Sequence, residues 1–198
     1  MPMGGSYNKK TPPMEGPYFE ETLFVTPSRH PQQWQAAALE EASAGASALG
    51  LRTGPVHAEL RLHQGRATLL EIAPRAIGGH CSRTLRFGAG MSQEELILRE
   101  ALGLAPSVVE REQAAAGVMM IPIPKGGILR EVQGLEAARA VPGIESVEIT
   151  IPLTRQVVPL PEGNRYLGFI FARGAHPDPV EEALRGAHKE LVFEIEPD

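Results

Sequence analysis

The sequence predicts an α+β protein in which antiparallel strands carry packed helices. Three observations lead there. Two strand-like runs, 56–63 and 66–73, flank a Gln-Gly pair, the pattern of a hairpin. Two helical patterns surround that hairpin, one Ala-rich over 31–49 and one capped over 91–103. Finally, residues 114–198 alternate short strands and helices, with Pro and Gly at the joints.

Taken in order, "PYFEETLFVT" (17–26) is rich in Phe, Tyr, Thr and Val and predicts a strand. The helix that follows has Pro31 at its first turn and Gly50 at its C-terminal cap. Trp34, Ala38, Leu39, Ala42 and Ala46 form its expected buried stripe, and its many alanines imply close packing on a sheet. In "MSQEELILREALG", Ser92 and Glu95 match a capping box and Gly103 ends the helix. Leu96, Ile97 and Leu104 are expected to face the core. A boundary is expected near 105–114, between a lobe over 17–110 and a small domain over 114–198, with 1–16 a flexible lead-in.

The second part reads as strands 114–122 and 128–131, helix 133–140, strands 144–151 and 165–173, helix 178–190 and strand 191–195. Merging the first two strands gives β-α-β-β-α-β, a small ferredoxin-like split βαβ layer. Met119 and Met120 lie in an apolar run and are expected in its core.

Composition narrows the function. The chain has 198 residues, 42% hydrophobic and 22% charged, with a net charge of −5. That charge argues against a nucleic-acid partner. No apolar run is long enough for a membrane span, and the N-terminus lacks a signal-peptide core, so the expected location is the cytoplasm with no membrane partner. A single cysteine, Cys81, excludes an internal disulfide framework.

The chemistry centres on "VHAELRLHQGRATLLEIAPRAIGG", 56–79. Alternation puts His57, Glu59, Arg61 and His63 on one face of the first strand and Ala58, Leu60 and Leu62 on the other. A two-residue turn, Gln64-Gly65, would pair Ala58 with Glu71. A three-residue loop, Gln64-Gly65-Arg66, pairs Ala58 with Ile72, Leu60 with Leu70 and Glu59 with Glu71. The apolar pattern favours the three-residue loop. Facing glutamates repel unless a counter-ion joins them. Either Arg61 or Arg75 supplies that charge, or a divalent cation does, since Mg²⁺ takes one or two carboxylates plus water and phosphate oxygens. Arg75, just past the strand, can reach a phosphate or carboxylate, and Gly78-Gly79 lets backbone N–H groups approach an anion. Weaker alternatives are a transition-metal site using His57 and His63, and a nucleophilic Cys81 beside His80.

"HAE" in one strand followed by "LLEIAPR" in the next resembles the metal-binding core of the ATP-grasp superfamily, in the branch of L-amino-acid ligases. The usual Glu-x-Asn-x-Arg string is here Glu71-Ile72-Ala73-Pro74-Arg75, with Ala73 in the Asn position. The resemblance implies a carboxylate–amine ligase working through an acyl-phosphate, with ATP as co-substrate and Mg²⁺ or Mn²⁺ held by Glu59 and Glu71. It implies that Arg75 stabilises charge on the transferring group, that Gly78 and Gly79 cradle a substrate carboxylate, and that Glu21 faces the substrate amine. Residues 17–110 then correspond to the C-terminal lobe of an ATP-grasp fold and 114–198 to the small domain that follows it. Such enzymes are about twice as long and carry phosphate-binding lysines in an earlier lobe, which Lys9 and Lys10 do not match. The expectation is a C-terminal half, inactive alone, whose missing N-terminal half comes from an upstream gene or partner chain; a homodimer stays open. The competing reading is a non-catalytic binding or scaffold module that keeps the fold.

Overall fold

A computed structural model describes residues 22–104 and 109–197. In chain order the elements are β1 (Leu23–Thr26), α1 (Gln32–Ala48), β2 (His57–His63), β3 (Arg66–Ala73), a 3-10 turn (Cys81–Thr84), β4 (Arg86–Phe87), β5 (Met91–Ser92) and α2 (Gln93–Ala101). They continue with β6 (Ala115–Ile121), β7 (Gly127–Gln133), α3 (Leu135–Ala140), β8 (Ile144–Ile149), β9 (Gln156–Val157), β10 (Gly168–Gly174), α4 (Pro177–Glu190) and β11 (Val192–Glu196). The architecture is mixed, with antiparallel sheets and few helices, as an α+β reading requires. Among the described residues, no helix is long and apolar enough to cross a membrane.

The chain divides into two compact units, one holding 27–113 and the other 22–26 with 114–197. In the first unit α1 lies against β3. The alanines allow this close approach, and Gly45 makes it closest: a Cβ there would lie 2.5 Å from Leu69 Cδ2 and 3.4 Å from Ile72 Cδ1. Trp34, Ala38, Ala42 and Ala46 are half-buried as the stripe requires, but Leu39 is exposed. Helix α2 starts at Ser92, whose Oγ accepts from Glu95 N at 3.1 Å, so the capping serine does its expected work. Gly103 ends it at φ +70°, a conformation glycine adopts without strain. Leu96 and Ile97 are half-buried, whereas Leu104 is exposed because it follows that cap and leaves the helical stripe.

The second unit holds a large apolar core. Strand β6 is buried along its whole length, between β1 and β10 in the sheet order β1-β6-β10-β8. Met119 and Met120 are both buried. The strand at 23–26 thus belongs to this sheet, pairing antiparallel from Leu23↔Met119 to Thr26↔Ala116. Helix α4 presents Val180, Ala183, Leu184 and Ala187, an i, i+3, i+4, i+7 stripe, to the core. Gly117 admits it, since a Cβ there would collide with Leu184, Val180 and the Phe24 carbonyl.

The two strand pieces that the sequence reading merges lie in different sheets. β7 belongs to a three-stranded sheet of order β11-β7-β9. The cause lies between them: Pro122 and Pro124 have no N–H to donate, and Gly127 turns at φ +139°. A ladder cannot run through that segment.

Candidate functional site

The site is built on the β2–β3 hairpin. Its turn has two residues, not three: His63 pairs with Arg66, and Gln64 and Gly65 lie at φ +47° and +76°. Positive φ at both positions matches the hairpin twist. From this turn the ladder runs Leu62↔Ala67, Arg61↔Thr68 and Leu60↔Leu69. A bulge then intervenes, and beyond it Glu59 pairs with Glu71, Ala58 with Ile72 and His57 with Ala73. Leu70 is the extra residue, and it is 62% exposed. The expected Leu60–Leu70 pair is therefore replaced by Leu60–Leu69, while the facing glutamates are reached by another route. The bulge resolves a conflict of phase. It keeps Leu69 and Ile72 on the same side, both against Gly45, with Glu71 opposite.

Directly opposed residues of an antiparallel pair project to the same side, with Cβ atoms about 5 Å apart. Each glutamate has a counter-group on one oxygen. His57 Nε2 lies 3.1 Å from Glu59 Oε1. Arg75 Nη2 lies 3.5 Å from Glu71 Oε1, a long contact between half-exposed side chains that contributes about 0–1 kcal/mol. Arg75 is brought back by the turn at Pro74, where its N–H donates to the Ala73 carbonyl at 2.9 Å. Its Nη1 donates to the Ala76 carbonyl at 3.1 Å. Of the two arginines considered from sequence, Arg75 is the one seen against the pair.

Past Arg75, Gly78 and Gly79 lead into the 3-10 turn. Gly79 adopts φ +62° and His80 φ +55°, and the Cys81 N–H donates to the Gly78 carbonyl at 3.2 Å. A Cβ at Gly78 would meet nothing within 4 Å, so neighbouring atoms do not demand a glycine there. Glu21 lies outside the described residues. Cys81 is fully buried, and burial pushes its thiol up to about 12, which removes the nucleophile a reactive cysteine needs.

The sequence reading placed His57 beside Glu59 without assigning it this contact, and it missed Glu94. His57 holds Glu59, a contact that i, i+2 spacing on one strand face makes available. Glu94, in the first turn of α2, accepts a hydrogen bond from Ser82 that holds its carboxyl below the usual range. Nothing in the spacing of Ser82 and Glu94 announces that contact.

No group of three or more His, Cys, Asp or Glu among the described residues is arranged to hold a metal. Two opposed carboxylates, each with one oxygen engaged, instead fit Mg²⁺ that completes its shell with water and phosphate. They do not fit a closed transition-metal cage.

Comparison with known proteins identifies what the chain resembles. Residues 7–84 match the ATP-grasp domain and residues 119–196 match the L-amino acid ligase C-terminal domain 2. Carnosine synthase 1 of Gallus gallus is 32% identical over 142 residues, covering 67% of this chain and 15% of that protein. The crystal structure of an L-amino acid ligase from Bacillus licheniformis superposes with a TM-score of 0.77 at 27% identity, over 92% of this chain and 46% of that one. Phosphoribosylglycinamide synthetase from Anaerococcus prevotii shares the fold at a TM-score of 0.72 and 17% identity, over 88% of this chain and 45% of that one. The chain thus spans under half the length of each of these relatives. With an ATP-grasp match followed by an L-amino acid ligase C-terminal match on one polypeptide, the chain belongs to the ATP-grasp ligase family.

Proposed function

We propose that this chain supplies the magnesium-nucleotide carboxylates of an ATP-dependent carboxylate–amine ligase. The observation that carries the reading is the Glu59↔Glu71 pairing, which a bulge maintains against the local phase of the strand. Glu59 and Glu71 would hold the Mg²⁺ that accompanies ATP, and the ion would supply charge neutralisation on the phosphate oxygens. A substrate carboxylate oxygen attacks the γ-phosphorus and ADP departs, leaving an acyl-phosphate. The amine then attacks the acyl carbon and inorganic phosphate departs. Arg75 sits at the end of β3, where a guanidinium can stabilise the charge on the transferring group. The Gly78-Gly79 segment is read as the cradle for a substrate carboxylate, and Glu21 as the residue facing the amine.

The small domain supports the same assignment. We read its element order, β6 and β7, then α3, β8, β9, β10, α4 and β11, as a split βαβ layer, although β6 and β7 lie in separate sheets. We read 17–110, less the strand 23–26 that pairs with β6, as the catalytic lobe and 114–198 as this accessory domain.

The reading includes a companion lobe, because phosphoryl transfer needs all charge-stabilising groups in place together. The test is Mg²⁺-dependent ATP consumption with a panel of amino acids, on the chain alone and combined with a polypeptide encoded beside it. Turnover only in the combination, reduced at least about a hundredfold by Glu71→Ala, is the expected result. Absence of turnover in both, with the fold intact, favours a binding or scaffold module instead.

A further inference from the structure

We propose that His57 is a positioning residue, which fixes Glu59 so that its second carboxylate oxygen is presented to the cation; the inference rests on the ligase reading above. His57 opens β2 and shares a face with Glu59, two residues on. Its cross-strand neighbour is Ala73, whose methyl group leaves room for an imidazole to lie along the strand. The ring is 11% exposed, against 39% for the Glu59 side chain. A histidine at a strand end has no need to be covered, and His63, at the other end of β2 on the same face, is exposed.

The contact has a defined sense. A carboxylate only accepts, so Nε2 carries the proton and donates to Glu59 Oε1 at 3.1 Å. That nitrogen is therefore engaged and does not ligate a metal. Imidazole also suits Zn and Cu better than Mg²⁺, which selects oxygen. His57 acts through Glu59 instead. Glutamate has three side-chain rotors, and holding them before the cation arrives removes an ordering cost from binding. On the other strand the Arg75–Glu71 contact is longer and more exposed, so Glu59 is the fixed member of the pair and Glu71 the adjustable one.

The test uses Mn²⁺ as a paramagnetic probe on the full chain, with free Mn²⁺ read by electron spin resonance and folding by circular dichroism. Glu71→Gln abolishes millimolar-range binding if the carboxylate pair is the site. His57→Ala then weakens binding about 10- to 100-fold, the range for losing a partner that orients a ligand. His57→Gln keeps an N–H donor and restores affinity close to that of the parent chain. Unchanged affinity in His57→Ala, beside a loss in Glu71→Gln, overturns the role of His57 and leaves the ligase reading standing. Equal loss in the Ala and Gln variants shows that the ring only fills space, and also overturns it. A parent chain that binds no Mn²⁺ removes both.

Discussion

Cys81 and Glu94 show how single side chains report their surroundings. With its thiol pushed up to about 12 from an ordinary 9.0, Cys81 has about a thousandfold less thiolate than a free cysteine at neutral pH. Alkylation by iodoacetamide in the folded chain is expected to be slower by a similar factor, and to become fast in urea. A fast reaction in the native state would contradict the burial. Glu94 moves the other way, held down chiefly by the Ser82 hydroxyl, against some desolvation. A carboxyl with a lowered folded pKa contributes stability above its unfolded pKa and loses it as pH falls through the folded value. Ser82→Ala should therefore raise the Glu94 titration midpoint seen by NMR and remove part of the stability at neutral pH, with no difference once both forms are protonated. Sequence spacing identified Glu59, Glu71 and Arg75 as a group because alternation and chain proximity are local. The Ser82–Glu94 contact joins segments that no periodicity relates, so it was illegible.

At the level of elements, the hairpin was legible in its content and misread in its turn. Counting apolar residues required Glu59 to face Glu71, and the structure agrees on that pair. The sequence route was a longer loop. The chain instead keeps the two-residue turn that Gln64 and Gly65 favour and accommodates the surplus residue as a bulge. Deleting Leu70 should therefore leave the glutamates opposed in a regular ladder; nuclear Overhauser contacts between the Cα protons flanking residues 59 and 71 would check it. Elsewhere two glycines of similar φ should respond differently. Gly143, at φ +89°, has its nearest neighbour for a Cβ at 3.4 Å, so Gly143→Ala costs about 1–2 kcal/mol in urea unfolding, the usual penalty for that conformation. Gly134, at φ +81°, would drive a Cβ into the Glu190 carbonyl, and its alanine variant should lose distinctly more. The broken strand at 122–126 was written in two prolines, but consequences for sheet membership depend on β1, β9 and β11 partners that lie far along the chain.

Across the whole molecule the burial is uneven. β6 is buried at every position and β10 at most, whereas β2 and β3 are half-buried or exposed throughout. Amide exchange should be slowest in β6 and β10 and markedly faster in β2 and β3, because local opening exposes little apolar surface there. Equal protection in the two sets would show that the hairpin is held by more than its own contacts. The class of the fold was readable from composition and periodicity. The attachment of residues 23–26 to the second unit was not, since a four-residue strand carries no mark of which distant edge it will join.

The bulge at Leu70 has a practical use. The residue sits next to the proposed cation site, faces solvent, and is not counted by the ladder. The native thiol is buried and proton-bound at neutral pH. A Leu70→Cys chain would carry one reactive handle without removal of Cys81. A fluorophore or spin label attached there could watch the nucleotide and its ion arrive in real time.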